Sequence, residues 1–458
     1  MKRKDAPTSP ATATKKARPE VPEYHLTPSL REVDGSIQWP APKAQIDKAR
    51  AIITECAQSR RKVLIAPDKD ADGLSAGAIL RHTLILLGLP SELIDVHLLT
   101  KGTTIHSDDE KTKMVASNPA YIFVIDHGSR SGPPLVENAK TLIIDHHHAT
   151  DKDFPDASAH VSACFSPPVA TSALLTYEIC RPLHPEVQPR CDWLCIVGTH
   201  GDLGNTLKWS PPFPEMRDPF KKHTKKVLND VVSLVNAPRR TATYDVISAW
   251  EALCETSEPS SILKNGRLLA ARAEVNDEVE RCTHTAPRFS QDGKVAVFRI
   301  RSEAQVHPVI ATRWAGHLNS KALEIVMVAN EGYLKDRVNF SCRIPRCARS
   351  RDPPVSIIDE LKRYASLTES SSNVDGTESD HAKVPLLQRL GNDFARGHVQ
   401  ASGGIVKVEE FEELMRLMKV GEKVVKDKDS ISPAKKKKTE IDPSQKNNLL
   451  GYFGKPKG

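Results

Sequence analysis

Aromatic residues are scarce in this sequence, since phenylalanine, tyrosine and tryptophan together make up 5% of its 458 residues. So few rings leave no evident platform on which nucleobases could stack. Long apolar runs are also missing, and none approaches the about 20 residues that a membrane-spanning helix requires. The N-terminus is charged and rich in proline and threonine, without the apolar centre of a secretory signal peptide. We therefore expect no association with a membrane.

Paired cysteines are missing as well. The nine cysteines are scattered, and none forms a CxxC pair or a Cys/His spacing typical of zinc sites. We expect free thiols in a reducing compartment rather than structural disulfides. The net charge is only +7, and the basic excess lies mainly in the two terminal segments. Such a mild excess permits an anionic partner without requiring one.

Four short acidic stretches stand out, and each follows an apolar run. They are residues 68–73 (DKDADG), 126–128 (DHG), 145–147 (DHH) and 201–202 (GD), after the runs 62–66, 121–125, 141–144 and 193–198. The first three runs are short, largely apolar and rich in β-branched residues, which predicts buried parallel strands. A single aspartate after a strand is more often a turn or helix-cap residue. The prediction of a site therefore depends on the whole set.

The position of these stretches indicates metal chemistry. In an open parallel sheet, ligands bind beyond the carboxyl ends of the strands. Aspartates and histidines from distant parts of the chain would therefore meet in one crevice. Clustered carboxylates repel one another unless cations lie among them. Hard oxygen ligands with an imidazole suit Mn²⁺ or Mg²⁺, so we expect a hydrolytic centre with two divalent cations.

This set of motifs resembles the DHH phosphoesterase superfamily. Its name-giving triplet stands here as Asp145-His146-His147, its DxDxDG motif as residues 68–73, and its fourth motif as residues 198–202 (GTHGD). The motifs occur in the family's order over roughly residues 60–210. Further along, residues 340–343 (FSCR) are similar to the Ser-x-Arg signature of the DHH-associated domain. Residues 397–404 (GHVQASGG) resemble its glycine–histidine motif, although Arg396 replaces a usual glycine.

The resemblance implies roles for particular residues. It assigns the metal ligands Asp70, Asp72, Asp126, His146 and Asp202, with Asp68 as a further ligand or a partner of one. Asp126 is expected to bridge the cations, and the catalytic set comprises Asp126, Asp145 and His147, of which His147 would contact the scissile phosphate or move protons. In the second domain it assigns substrate binding to Ser341, Arg343, Gly397, His398, Gly403 and Gly404. His127 and His200 stand beside motif carboxylates as ligands or as hydrogen-bond partners, and His148 has no assigned role.

The expected fold class is α/β, with a two-domain DHH architecture. A parallel-sheet catalytic domain spans residues 43–235, a helical connector 236–290, and a smaller α/β DHH-associated domain 291–420. A helix is expected over 43–57 and another over 74–87, whereas 205–240, rich in proline and lysine, is predicted to be largely irregular. In the second domain, strands are expected at 294–301, 323–328 and 337–343, and helices at 308–318, 354–364 and 411–418. Residues 1–42, 368–383 and 421–458 have the composition of disordered segments.

The two tails carry candidate recognition peptides. Basic clusters at residues 2–4 and 15–18 have the layout of a bipartite nuclear import signal, and 435–438 is a further lysine run. We therefore expect import receptors as partners and a nuclear location. Residues 446–453 (KNNLLGYF) resemble the peptide that docks on the sliding clamp PCNA, with Leu449, Tyr452 and Phe453 as anchors. Lys446 stands where that peptide usually has glutamine.

Together these features predict a metal-dependent phosphodiesterase of the RecJ-like branch. The leading interpretation is an exonuclease on single-stranded DNA in replication or repair. One alternative is a phosphodiesterase of the same superfamily that acts on short oligonucleotides or nucleotides. The other is a non-catalytic replication scaffold derived from the same fold.

Overall fold

The computed structural model describes residues 29–367, 384–391, 394–398 and 401–422. The predicted insertion at 368–383 and most of the two predicted tails lie outside this range. So do the import-signal clusters and the clamp-like peptide with Leu449, Tyr452 and Phe453. All nine cysteines lie within it and are free thiols, as predicted. No helix in the part of the chain that is described is long and apolar enough to cross a membrane.

A five-stranded parallel sheet forms the centre of the first domain. Its strands are β1 (Val63–Pro67), β2 (Ile94–Val96), β3 (Tyr121–Ile125), β4 (Lys140–Asp145) and β5 (Ala159–Ser162). They lie in the order β2-β1-β3-β4-β5, and every neighbouring pair is parallel. The three predicted strands are confirmed. The edge strands β2 and β5 are short and less buried, so they lack the apolar run that marks the central ones.

Nine helices belong to the described part of this first domain. They are α1 (Lys43–Ser59), α2 (Ala71–Leu86), α3 (Asp108–Ala116), α4 (Ser172–Cys180), α5 (Val187–Leu203), α6 (Arg217–His223), α7 (Lys225–Val235), α8 (Val246–Glu255) and α9 (Pro259–Ile262). The prediction of an irregular segment is wrong for residues 217–235. Prolines before and within α6 hide the pattern there, yet Leu228, Val231 and Val235 of α7 repeat at helical spacing and are buried.

Helix α2 lies in the middle of the first core. It is apolar on nearly all faces, as expected for a helix enclosed by others, and it packs against α4, α5 and α8. A methyl group on Gly77 would lie 2.9 Å from the Trp250 ring of α8, so the two helices approach closely. The same core continues through α8 and α9 to Leu268. The first domain therefore extends beyond residue 235, where the sequence places its end.

The long helix α10 (Gly266–Thr283) leads to a six-stranded mixed sheet. Its strands are β6 (Arg288–Phe289), β7 (Val295–Ile300), β8 (Ile325–Leu334), β9 (Arg337–Arg343), β10 (Arg396–His398) and β11 (Ala401–Lys407), in the order β10-β11-β9-β8-β7-β6. Helix α11 (His307–His317) packs on one face with α10. The other face is covered by α12 (Ile357–Ala365), α13 (Leu386–Arg389) and α14 (Val408–Leu417).

The loop between β2 and α3 joins the two domains. Lys101 Nζ donates hydrogen bonds to the carbonyl oxygens of Ala242, at 3.3 Å, and Glu303, at 2.7 Å. The same ammonium lies 4.4 Å from the centre of the Tyr333 ring on β8. One residue on, a methyl group on Gly102 would lie 2.8 Å from the Leu334 side chain. The loop is therefore fitted closely against the second sheet.

Candidate metal centre

The first acidic motif forms the tight turn from β1 into α2. Asp70 is the N-cap of α2, and its carboxylate accepts from the amides of Asp72 and Gly73. A side chain at Gly73 would lie 2.7 Å from the carbonyl oxygen of Asp68, so only glycine fits this turn. The Asp68 amide donates to the Ile125 carbonyl at the end of β3. The turn is thereby fixed beside the second motif.

Asp72 is fully buried, and the N-terminus of α4 holds it in place. Its two carboxylate oxygens accept from the amides of Ser172, at 2.7 Å, and Ala173, at 3.0 Å. Helix N-termini favour negative charge because their first amides have no partner within the helix. The Ser172 hydroxyl also donates to Asp126 at 2.8 Å. One helix end therefore orients carboxylates from two motifs, a role for Ser172 that the sequence did not suggest.

Asp126 and His146 bring the second and third motifs together. Asp126 has a φ of 67°, in the left-handed region that aspartate tolerates better than most residues. His146 Nε2 lies 3.2 Å from Asp126 Oδ1 and 3.3 Å from Asp202 Oδ2. The same nitrogen is buried and makes no hydrogen bond. An imidazole nitrogen among carboxylates without a bond of its own fits a metal ligand.

The fourth motif lies in the last turn of α5, not after a strand. Helix α5 runs through the motif to Leu203, so Asp202 reaches the crevice from the helical layer. A methyl group on Gly198 would come within 2.3 Å of the Ala173 side chain and 3.0 Å of Asp72 Oδ1. This close approach of α5 to α4 is what allows Asp202 to join the other carboxylates.

The ligand atoms fall into three overlapping groups, each within 4.8 Å: Asp126, His146 and His147; Asp72, His146 and Asp202; and Asp68, Asp70 and Asp126. All six predicted ligands are present. Asp126 and His146 each belong to two groups. A ligand shared between neighbouring groups is expected where two cations lie close together.

The carboxylates in the crevice repel one another unless positive charge lies among them. Burial, with the neighbouring carboxylates, raises the pKa of Asp202 to about 7. The same two causes raise the pKa of Asp126 well above its usual range, and burial also raises that of Asp72. At Asp68, burial would raise the pKa, but the charges of Lys69, His127 and Arg239 lower it to about 2. Divalent cations would remove the repulsion among the other three, so the donor set fits Mn²⁺ or Mg²⁺.

Asp145 is in none of the three groups, and its carboxylate holds the two histidines that follow it. Its carboxylate accepts from His147 Nδ1 at 2.8 Å, from the Ser129 hydroxyl at 2.5 Å, and from the amides of His146 and His147. Burial alone would lower the pKa of His147, but the contact with Asp145 raises it to about 9. His147 is half exposed at the mouth of the crevice, so its Nε2 can present a proton to a ligand there.

The other histidines of the motifs lie apart from the ligands. His127 Nε2 is 2.9 Å from the Ala66 carbonyl oxygen. His200 pairs with Asn229 at 2.9 Å and accepts from the Trp209 indole at 3.3 Å. Neither histidine is in the three ligand groups, and neither makes the expected hydrogen bond to a motif carboxylate. His148 is exposed and packs edge-on against Phe165.

Strand register brings the second-domain motifs together. In the β9–β11 ladder, Gly403 lies opposite Ser341 and Ala401 opposite Arg343, while Gly404 lies opposite Phe340. Gly397 and His398 pair with Ser402 and Ala401 through β10; their side chains lie outside the described part of the structure. Arg343 donates to the Ser341 hydroxyl at 2.9 Å. A side chain at Gly403 would lie 2.4 Å from the Phe340 carbonyl oxygen, which explains a glycine there.

Two arginines that the sequence did not single out lie beside the first motif. Arg239 is 3.8 Å from Asp70 Oδ2 and donates to Asn236, which also accepts from the Ala71 amide. Burial lowers the pKa of Arg240 to about 9, and the charges of Arg239 and Arg343 add to this effect. Arginine stays protonated in proteins, so the Arg240 guanidinium lacks sufficient negative charge around it. A Pro-Arg-Arg sequence is too common to have identified them.

Comparison with known proteins supports the fold. Residues 62–197 match the sequence profile of the DHH family, N-terminal domain. No curated protein sequence matches the chain significantly. Among solved structures, RecJ in complex with Mn²⁺ from Thermus thermophilus is similar, with a TM-score of 0.54 and 16% identity over 83% of this chain and 55% of that one. The chain thus spans about half the length of that protein.

Two further structures are similar over most of their own length. Exonuclease RecJ bound to manganese gives a TM-score of 0.52 and 16% identity, over 82% of this chain and 93% of that one. The DHH domain of a member of a family of ribosomal proteins gives a TM-score of 0.57 and 14% identity, over 83% of this chain and 92% of that one. At these identities the likeness establishes the fold.

Proposed function

Because this chain is a RecJ-like member of the DHH superfamily, we propose that it is a metal-dependent phosphodiesterase that degrades single-stranded DNA as an exonuclease. The observation that supports this most is His146 Nε2, which is buried between Asp126 and Asp202 without a hydrogen bond. A structural histidine in that position would donate to a carboxylate. A ligand instead keeps its nitrogen free for a metal ion.

The metal ions would be held by Asp68, Asp70, Asp72, Asp126, His146 and Asp202, with Asp126 shared between two positions. Two such ions supply Lewis-acid activation of water and of the phosphoryl oxygens. The two similar RecJ structures are complexes with manganese, which supports Mn²⁺ here. Mg²⁺ has the same preference for oxygen ligands.

The chain's own residues complete the chemistry. Asp145, acting against the effect of burial, raises the pKa of His147 to about 9, which favours the protonated imidazole at neutral pH. Its Nε2 proton can therefore be donated to a phosphoryl oxygen or to the oxygen that leaves. Asp145 keeps the imidazole in that orientation through the 2.8 Å bond to Nδ1. Ser129 in turn fixes Asp145.

Arginines provide the complement to an anionic substrate. The charges of Arg239 and Arg343 both act on Arg240, and burial lowers the pKa of Arg343. Bound phosphates would relieve this repulsion, and the guanidinium fork matches phosphate geometry. Cations beside a metal centre thus favour a substrate with more than one phosphate. This supports a nucleic-acid strand.

The recognition peptides in the tails extend the proposal. We place the protein in the nucleus, through the basic clusters at 2–4, 15–18 and 435–438. Binding to the sliding clamp PCNA through Leu449, Tyr452 and Phe453 would bring the nuclease to replicating or repaired DNA. An apolar anchor in a polar tail is a common way to recruit an enzyme to a partner.

The test is a nuclease assay on end-labelled DNA and RNA, single-stranded and double-stranded, and on dinucleotides, with Mn²⁺ or Mg²⁺. We expect the wild type to shorten single-stranded DNA and Asp126→Asn to be inactive. Asp218→Asn, which changes an exposed aspartate on α6, should remain active. Cleavage of dinucleotides but not of the longer strands would indicate that the substrate is a short oligonucleotide. If purified protein cleaved no phosphodiester with either metal, the scaffold alternative would replace this proposal.

A further inference from the structure

We propose that Phe165, together with His148, forms a platform on which the nucleobase next to the scissile phosphate stacks. This inference rests on the proposed function and specifies how its substrate is held. It gives the centre a preference for nucleotides over phosphodiesters without a base.

Phe165 has the most exposed ring of the phenylalanines in the described chain. It is 52% exposed, whereas Phe123, Phe298 and Phe411 are fully buried in the cores. Such a ring offers apolar surface that a ligand or partner can cover. Its ring neighbour is His148, whose ring centre lies 5.6 Å away in an edge-on arrangement. An edge-on contact leaves a flat face of the phenylalanine ring available for stacking.

The position of Phe165 connects it to the metal centre. In the parallel pair β4–β5, Asp145 lies opposite Ser162. Phe165 comes three residues after Ser162, at the same carboxyl edge of the sheet as the ligands. His148 directly follows His147, which faces the mouth of the crevice. The platform thus flanks the group that we assign to the phosphate.

Hydrogen bonds hold the platform against the third motif at two points. The Ala163 amide donates to the Asp145 carbonyl oxygen at 3.1 Å, and Cys164 Sγ donates to the Ala149 carbonyl oxygen at 3.3 Å. A turn closed by the bond from the Ser166 amide to the Ala163 carbonyl presents the ring between them. The turn that carries the ring is therefore formed before a ligand arrives, which reduces the entropy lost on binding.

Stacking on a fixed ring suits an enzyme that must process any sequence. Every base has a flat face, so stacking affinity depends little on which base is present. Stacking needs no side-chain amide or carboxylate that could bond to the edge of a base, so this contact does not distinguish one base from another. The protein would recognise that a base is there without identifying it.

The experiment compares two single-stranded oligothymidylates, one normal and one with an abasic nucleotide at the cleaved position. In wild type, kcat/KM should be about tenfold higher for the normal strand. Phe165→Ala should lower kcat/KM on the normal strand by about that factor, mainly through KM, and leave the abasic strand unaffected. Phe165→Trp should restore the difference in kcat/KM between the normal and the abasic strand. Phe289→Ala, which removes the exposed ring on β6, is the matched control and should behave as wild type.

Binding measurements separate this inference from the proposed function. Fluorescence anisotropy with the same two strands is run in the Asp126→Asn background, where no cleavage occurs. If the wild type cleaves nothing but Phe165→Ala still weakens binding of the normal strand alone, the proposed function fails and the platform stands. If Phe165→Ala weakens binding of both strands equally, or of neither strand, the platform is overturned, whatever the activity of the wild type.

Discussion

The imidazole of His147 donates from Nδ1 to Asp145 Oδ1 over 2.8 Å, and this pair stands at the mouth of the crevice. Asp145 is buried, and it contacts His146 through the backbone amide of that residue. We therefore expect the first residue of the name-giving triplet to position the third.

Replacing Asp145 by asparagine should lower kcat by about 10-fold to 100-fold, as expected for a residue that orients a functional group from behind. The half-saturating Mn²⁺ concentration should change little, because Asp145 is not among the grouped ligands. A Mn²⁺ titration of activity measures both quantities. Ser129→Ala, which removes one of the bonds to Asp145, should show a smaller loss of kcat. A large shift in Mn²⁺ dependence would instead identify Asp145 as a ligand.

Replacing Asp126 by asparagine should stabilise the metal-free protein. The pKa of Asp126 is raised in the folded state, so folding binds protons there and the free energy of unfolding falls as pH rises above the unfolded pKa of about 4. In EDTA, the melting temperature of the variant should therefore exceed that of the wild type by more as pH rises from about 4 to 7. Added Mn²⁺ should raise the melting temperature of the wild type only. If the variant were less stable than wild type at every pH, carboxylate repulsion would not be the dominant effect.

His307 should make the protein sensitive to acid. It is buried with Nδ1 unbonded, and burial lowers its pKa from 6.5 to about 3. Between these two pKa values the unfolded state binds a proton at His307 and the folded state does not. The free energy of unfolding therefore falls as pH decreases from about 6.5 to 3. Across this window, the melting temperature of His307→Gln should rise relative to that of the wild type as pH decreases. His317→Gln, at the exposed end of the same helix, should not gain. Parallel curves for all three proteins would contradict the prediction.

Replacing Gly198 by alanine should damage both packing and the metal site. The added methyl group would meet Ala173 and Asp72, and overpacking of this kind costs about 1–3 kcal/mol. Chemical denaturation should show that loss, and calorimetry should show weaker Mn²⁺ binding because Asp202 moves with α5. Gly316→Ala on α11, with nothing within 4 Å of the new methyl group, should be neutral or slightly stabilising. Equal effects of the two changes would argue against a special contact at Gly198.

The sequence predicted the central part of the site well. Buried strands have a strong pattern, and the residue after each one must lie at the ligand edge, so Asp126 and His146 could be placed together without coordinates. Asp202 was included as the fourth acidic stretch after an apolar run and through the resemblance, although a helix, not a strand, delivers it. The roles of these residues remain predictions, whereas their convergence is observed.

What the sequence could not supply depends on contacts between distant segments. Arg240 is significant because it is buried and because the charge of Arg343, distant in sequence, acts on it. Nothing in the adjacent sequence indicates either. Phe165 could not be distinguished from the buried phenylalanines, since exposure is a property of packing. The helix α7 was missed because nearby prolines outweighed its apolar repeat. The pairing of Gly403 with Ser341 follows from strand register, which a glycine-rich motif does not specify.

The lysine at position 101 ties the two domains together. Its ammonium joins two carbonyl groups and an aromatic ring across the domain boundary, and a methyl group on Gly102 would meet the Leu334 side chain. Any hinge-like separation of the two domains at this side would have to break these contacts together.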